Sequence, residues 1–139
     1  MKNWIYYGVF FSEKSQEALL NFAKQYVGIP DDWKLFCHHM TIIFNDKSEE
    51  KQKMAEALDE FLGNSQSLMI TSIGVSDRAI ALGVEDYVTQ NKRSHITIAT
   101  APGAKPVESN DIVNWYKTDT FYITGKLDVF TKNINIKKL

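Results

Sequence analysis

A short polar motif occurs twice in the chain, each time inside an apolar run that is typical of a β-strand. The first copy is His39-Met40-Thr41-Ile42 and the second is His95-Ile96-Thr97-Ile98. Successive side chains of a strand point to opposite faces. Each copy therefore places an imidazole and a hydroxyl on one face and two apolar side chains on the other. We expect the fold to bury both apolar faces and to bring the two polar faces together across a cleft.

The composition is that of a folded domain without a strong charge. Of the 139 residues, 44% are hydrophobic and 24% are charged, and we expect one domain over residues 1–139. The formal net charge is −1 and the pI is about 6.3. Domains that bind long nucleic acid are usually strongly basic, so we expect no long duplex partner. A small anionic ligand needs only a local cluster of donors and remains compatible with this charge.

The cysteine count and the N-terminus bear on the compartment. Cys37 is the single cysteine, which excludes an internal disulfide and favours a reducing environment. Residues 1–8 lack the apolar region and cleavage site of a signal peptide. No apolar run approaches the roughly 18–20 residues that span a bilayer. We expect a cytoplasmic protein without membrane association, and we expect a monomer.

The remaining patterns predict the order β-α-β-α-β-β-β-α-β. Apolar and alternating runs predict strands over residues 3–11, 34–44, 67–75, 78–84, 94–100 and 119–130, with a short additional strand over 133–137. Apolar stripes at helical spacing, with capping residues, predict helices over residues 12–28, 46–63 and 109–116. Strands with interspersed helices and no regular βαβ repeat favour an α+β domain.

The two motifs together suit reactions at phosphorus. Imidazole titrates near neutrality, so one histidine can act as a base while another acts as an acid. One would take a proton from the attacking hydroxyl or water, and the other would protonate the leaving oxygen. We predict that His39 and His95 form this pair, and that Thr41 and Thr97 donate to the phosphoryl oxygens. The scheme needs no metal or other cofactor, and the near symmetry leaves open which histidine is the base.

The paired motifs resemble the signatures of the 2H phosphoesterase superfamily. That superfamily includes LigT-like RNA 2′,3′-cyclic phosphodiesterases, the cyclic phosphodiesterase domain of fungal and plant tRNA ligases, enzymes that cleave 2′-5′ oligonucleotides, and phage enzymes that destroy cyclic-nucleotide defence signals. The resemblance implies a bilobal α+β fold, with two antiparallel sheets flanked by helices around a central groove. It also implies a metal-independent phosphodiesterase with the two motifs facing each other.

Five further residues are candidates for substrate binding. Arg93 shares strand parity with His95, and Lys105 lies in the loop after the second motif. Each could reach a phosphate, and each could equally be an ordinary surface cation. Aromatic side chains can stack on a base, and the candidates are Trp33, Tyr7 (or its neighbour Tyr6) and Trp115 (or Tyr116). Most aromatic residues of such a chain belong to the core.

Residues beside the first motif have simpler interpretations. We expect Cys37 to be a small buried residue. A zinc site built from Cys37, His39 and His95 is disfavoured because zinc takes three or four ligands in a workable geometry. Cys37 is also disfavoured as a nucleophile, since strand neighbours two apart diverge from nucleophile–base geometry. His38 lies on the opposite face from His39, and we expect it to pack or to face solvent.

Two substrate classes fit this chemistry. The first is an RNA end that carries a 2′,3′-cyclic phosphate, and the second is a small nucleotide signal such as a cyclic dinucleotide or a 2′-5′ oligonucleotide. A phage-type enzyme that degrades cyclic defence signals belongs to the second class. Two other hypotheses remain, a nucleotide-binding sponge on the same fold without catalysis, and an interaction protein with incidental motifs and no nucleotide affinity.

Overall fold

The computed structural model describes residues 3–132, which form an α+β fold as the sequence predicts. In chain order the elements are β1 (Trp4–Phe10), α1 (Glu13–Lys24), β2 (Lys34–Leu35), β3 (His39–Phe44), α2 (Glu49–Asp59), β4 (Ser65–Val75), β5 (Ala79–Glu85), β6 (His95–Thr100), a 3₁₀ helix (Pro106–Asp111) and β7 (Asn114–Thr131). The strand predicted over 133–137 lies outside the described residues.

All these strands belong to one antiparallel sheet in the order β2-β6-β5-β4-β7-β1-β3. The resemblance implied two sheets, and the structure differs because β7 joins the two halves. This strand is 18 residues long and pairs with β4 over residues 114–126 and with β1 over residues 126–131. The motif strands β3 and β6 lie at or next to opposite ends of the strand order.

A bulge in the middle of the β4–β7 ladder bends the sheet. Ile70 pairs with Phe121, whereas Ser72 pairs with Lys117, so three residues of β7 lie opposite one residue of β4. Bulges increase local twist and bend the strand that contains them. The bulge lies between the fourth and fifth strands of the order, with β6 on one side and β3 on the other.

The segment between β2 and β3 brings the two motifs together. β2 pairs with Ala99–Thr100 of β6. The next two amides extend this ladder towards the start of β6: Phe36 donates to the carbonyl oxygen of Ile98 at 2.8 Å, and Cys37 donates to that of Thr97 at 2.9 Å. At Cys37, φ is 64°, in the left-handed region, and the chain leaves the ladder there. From His39 onward it pairs with β1. Because this antiparallel ladder runs towards His95, the chain reaches His39 close to His95, and both residues line one groove.

This change of pairing partner, from β6 to β1, explains why the strand predicted over 34–44 is two strands. The apolar pattern of the segment is continuous, but its hydrogen-bond partners change from β6 to β1. The loop before β6 makes a second connection between the halves. The amide of Gln90 donates to the carbonyl oxygen of Ile42, and the Gln90 side chain accepts from the amide of Phe44.

The two α-helices begin at serine caps and cover the core face of the sheet. Ser12 accepts a hydrogen bond from the Ser15 amide, and Ser48 accepts one from the Lys51 amide. The first helix ends at Lys24, before the predicted end at residue 28, because its last turn tightens into bonds between residues three apart. Neither helix is long and apolar enough to cross a membrane.

The segment after β6 forms the 3₁₀ helix and then enters β7, in place of the α-helix predicted over 109–116. Trp115 and its neighbours pair with β4 as part of the long strand. The Trp115 ring lies against Gly74, where an added Cβ would come within 2.8 Å of the ring. Cross-strand packing of this aromatic residue therefore outweighs the apolar spacing that resembled a helix.

Candidate active site

Both motifs direct their apolar residues into the core and their polar residues towards one groove. Met40, Ile96 and Ile98 are fully buried, as the alternation predicts. On the other face, the two histidines and two threonines of the motifs all line a groove of about 620 Å³: His39, Thr41, His95 and Thr97. The structure therefore brings together all four residues predicted to be catalytic.

His39 is held between its own threonine and two aromatic rings. Its Nε2 lies 3.1 Å from the hydroxyl oxygen of Thr41, and its Nδ1 lies 3.5 Å from the Tyr6 hydroxyl. The Tyr6 ring stacks on the imidazole at 4.6 Å between centroids, and the Phe10 ring stacks at 5.4 Å. Phe10 is the cross-strand partner of His39 in the β1–β3 ladder. These contacts fix the plane of the imidazole.

This environment favours neutral His39. Burial is the largest cause, and the nearby charges of His38 and His95 add to it, so the pKa of His39 is lowered to about 4. Removal from water disfavours the charged form of an imidazole, and so does a like charge. The contribution from His95 also reflects the closeness of the two motif histidines.

His95 is anchored to the backbone instead. It is only 8% exposed, and its Nδ1 lies 2.8 Å from the carbonyl oxygen of Arg93. A carbonyl oxygen can only accept, so Nδ1 carries the proton and Nε2 of the neutral ring is the unprotonated nitrogen. Burial lowers the pKa of His95, and the bond to Arg93 partly offsets that effect.

Thr97 is supported by the 3₁₀ helix. Its hydroxyl lies 2.9 Å from the hydroxyl of Ser109, which is 1% exposed, and 3.4 Å from the carbonyl oxygen of Pro106. Ser109 can donate to Thr97, while the Thr97 proton points to the Pro106 carbonyl oxygen in a long bond that a phosphate oxygen could replace. The second motif thus depends on a segment that follows it in sequence, whereas the first depends on β1.

Aromatic side chains form the wall of the groove beside His39. Tyr6 is stacked with Phe10 at 5.8 Å and with Phe130 at 5.2 Å, and it contacts Phe44 at 5.4 Å. Phe44 and Phe130 are 42% and 49% exposed, which is unusual for large apolar side chains. Of the alternatives Tyr6 and Tyr7, the structure places Tyr6 in the groove, and the three phenylalanines were not predicted. The pattern of β1 gave no clear signal, since Trp4 shares the parity of Tyr6 and Phe10 but lies in the core.

The five substrate-binding candidates lie in three different places. Lys105 lines the groove. Arg93 and Trp115 line a neighbouring cavity, where the guanidinium lies 4.6 Å from the centre of the indole ring. Tyr7 is fully buried and donates to Asp59 at 2.5 Å, and Trp33 is half-buried against the core. Neither of these last two residues lines the groove.

The residues before the first motif occupy different environments. Cys37 is buried, as predicted, and burial raises the pKa of its thiol to about 12. The thiol is therefore unsuited to act as a nucleophile. His38 is exposed and lies at the edge of the groove, where it contacts Phe36 edge-on at 6.1 Å. Within residues 3–132, no three His, Cys, Asp or Glu side chains form a metal-binding cluster.

Two strands, each presenting a histidine and a threonine to one groove of an α+β fold, define a 2H phosphoesterase type of site. The family model of the fungal tRNA ligase phosphodiesterase domain matches residues 23–134, which include both motifs. The chain belongs to this family, and the resemblance to the 2H phosphoesterase superfamily is confirmed. The family takes its description from a phosphodiesterase domain of fungal tRNA ligases.

The fold is also similar to that of a fungal RNA kinase of known crystal structure. The TM-score is 0.67 at 17% sequence identity, and the match covers 94% of this chain and 46% of the other. The chain thus spans about half the length of that protein, and at this identity the likeness concerns the fold. No curated protein matches the chain.

Proposed function

We propose that the chain hydrolyses 2′,3′-cyclic phosphates at RNA ends by two-histidine acid–base catalysis without a metal. The observation that carries the proposal is the convergence of both motifs on one groove. Family membership supports the choice of an RNA end as substrate. The groove itself suits a nucleotide, since aromatic rings that can stack on a base lie beside the motif residues.

The reaction divides between the two imidazoles. The cyclic phosphate enters the groove with its phosphorus between His39 and His95. One histidine takes a proton from a water molecule as the water oxygen bonds to phosphorus. The other gives a proton to the ribose oxygen as its bond to phosphorus breaks. The product is a phosphomonoester beside a free ribose hydroxyl, and the orientation of the ribose decides which histidine plays which part.

Thr41 and Thr97 stabilise the charge that grows on the non-bridging oxygens. Each hydroxyl lies two residues from its histidine on the same strand face, so the phosphate is held while the proton transfers occur. The bound phosphate also changes the protonation of the site. A negative charge next to an imidazole favours the charged form, so substrate binding raises the lowered pKa of the histidine that acts as the acid.

The proposal is tested by turnover of a substrate panel in excess EDTA, with products separated by chromatography. The panel contains a 2′,3′-cyclic mononucleotide, short RNAs ending in a cyclic phosphate, 2′-5′ oligoadenylate and several cyclic dinucleotides. We expect opening of the cyclic phosphate ends to a monoester. If cyclic dinucleotides are cleaved faster than RNA ends, the substrate is a signalling nucleotide and the proposal is wrong. Binding without cleavage would mean that the protein is a nucleotide sponge.

A further inference from the structure

A second cavity opens beside the groove on the His95 side. It measures about 710 Å³, and we call it the side cavity. Three residues, Asn91, His95 and Asn110, line both the groove and the side cavity. A ligand longer than one nucleotide can therefore extend from the groove into the side cavity.

The charge of the side cavity suits an anion. Its lining includes two basic side chains, Lys92 and Arg93, and no acidic one. The chain as a whole has a formal net charge of −1, so this local excess of positive charge is not a property of the whole surface. Neither cation forms an ion pair with a carboxylate in residues 3–132, where the ion pairs are Lys53–Glu49 and Arg78–Glu108.

Arg93 is held in a defined orientation. Its guanidinium lies 4.6 Å from the centre of the Trp115 ring, and stacking on an aromatic face leaves the N–H groups at the edge of the guanidinium plane available. Trp115 is itself fixed, since its Nε1 donates to the carbonyl oxygen of Ile112 at 3.2 Å. Because the Arg93 side chain is already ordered in the fold, it loses less conformational entropy when it binds a phosphate.

The main chain of Arg93 connects the side cavity to the proposed chemistry. Its carbonyl oxygen accepts the hydrogen bond from Nδ1 of His95, while its side chain lines the side cavity. A phosphate bound by the guanidinium thus lies next to the nucleotide whose cyclic phosphate is at His95.

We infer that the side cavity binds the phosphate that joins the terminal nucleotide to its 5′ neighbour, so that the domain prefers an RNA strand end to a free cyclic mononucleotide. Arg93 donates to this phosphate through two N–H groups, and Lys92 adds a second positive charge. The inference rests on the proposed function for the identity of the group at His95. It goes beyond that function by assigning substrate length to Arg93.

The test compares adenosine 2′,3′-cyclic phosphate with the dinucleotide ApA that ends in the same cyclic phosphate. We expect wild-type kcat/KM to be about tenfold higher for the dinucleotide, the size of effect given by one charge-assisted hydrogen-bonded contact. Arg93→Ala should bring this ratio close to one, mainly by raising the KM of the dinucleotide. Arg93→Lys should retain part of the preference for the dinucleotide. Lys14→Ala removes an exposed positive charge on α1 and should leave the ratio unchanged.

Salt dependence provides a second measurement. A phosphate contact releases counterions, so the dinucleotide KM should rise with salt more steeply in the wild type than in Arg93→Ala. Equal wild-type kcat/KM values for the two substrates would overturn the inference. So would an Arg93→Ala variant that loses the same factor on both substrates, since that result would mean a general disturbance of His95.

Binding separates failure of the inference from failure of the proposed function. Adenosine 3′-phosphate and ApA carrying a 3′-phosphate are titrated calorimetrically against wild type and Arg93→Ala. If neither cyclic substrate is cleaved, the proposed function fails. Tighter binding of the ApA ligand that is lost in Arg93→Ala would still support a phosphate site in the side cavity. Equal binding of the two ligands by the wild type would overturn the inference whatever the turnover.

Discussion

The two motifs have the same sequence pattern but different supporting contacts. His39 is stacked between Tyr6 and Phe10 and bonded to the threonine of its own motif. His95 is fixed by a backbone carbonyl, and Thr97 is bonded to a serine of the 3₁₀ helix. The repeated motif therefore does not make two equivalent half-sites. The first half-site is built from rings that can also contact a base, and the second from polar groups of a loop and of the 3₁₀ helix.

The largest expected effect is removal of either imidazole. We expect His39→Ala and His95→Ala each to lower kcat by about 10²- to 10⁴-fold, because each removes one proton-transfer step. The matched comparison is His38→Ala, which removes an imidazole from the edge of the same groove and should cost far less. Steady-state turnover of an RNA ending in a cyclic phosphate measures all three. Near-wild-type activity of His95→Ala would contradict the mechanism.

The two threonines should differ in their effect. Thr97→Val should lower kcat by about 10²-fold, because Ser109 already holds that hydroxyl in position. Thr41→Val should cost less, since in residues 3–132 the Thr41 hydroxyl is positioned only by the imidazole of His39, whereas the Thr97 hydroxyl is also held by Ser109. A larger loss in Thr41→Val than in Thr97→Val would reverse the comparison.

Ser109 is a positioning residue, and its effect should depend on Thr97. Ser109→Ala should lower kcat several-fold in the wild type and have no further effect in Thr97→Val. Such non-additivity is the signature of two residues that act through one contact. A double-mutant cycle measures it, with Ser109→Ala in the Thr41→Val background as the control. Equal losses in the wild type and in Thr97→Val would mean that Ser109 is merely structural.

The aromatic environment of His39 should control its protonation. Tyr6→Ala admits water to the imidazole, so the pKa of His39 should rise from about 4 towards its ordinary value, while that of His95 should move little. An NMR titration of the histidine ring protons measures both in one experiment. An equal change at both histidines would show that the two half-sites are not independently buried.

The lowered histidine pKa values also predict acid sensitivity of the fold. In the unfolded chain these groups bind protons once the pH falls below about 6.5, whereas in the folded chain they resist protonation. The free energy of unfolding should therefore decrease as the pH falls from 7 to 5.5. In His39→Gln the free energy of unfolding should fall less between pH 7 and 5.5 than in the wild type. Urea denaturation at the two pH values measures both. A variant with the full wild-type decrease would assign the sensitivity to other groups.

The strand faces were predictable because alternation is local. The motif residues and their apolar partners were assigned to the correct faces from sequence alone, and the four polar residues do line one groove. The same rule does not separate Tyr6 from Tyr7, because Trp4 and Tyr7 are both buried although they differ in parity. A Tyr–Tyr pair by itself does not indicate which ring is in the core.

The supporting contacts were not predictable, because they depend on register and on loops. Phe10 faces His39 and Phe130 faces Tyr6 only through pairings between strands far apart in sequence. The bond from Ser109 to Thr97 depends on the path of the 3₁₀ helix, in a segment predicted to be an α-helix. The crossing at Cys37 depends on one residue with a positive φ.

The pH dependence of kcat/KM measures directly whether two imidazoles share the proton transfers. One histidine must be neutral and the other protonated in the free protein, and both pKa values are lowered. We expect a bell-shaped profile on an RNA ending in a cyclic phosphate, with its maximum below pH 6.5. A profile that is flat from pH 4 to 8, or one with a single ionisation, would contradict it.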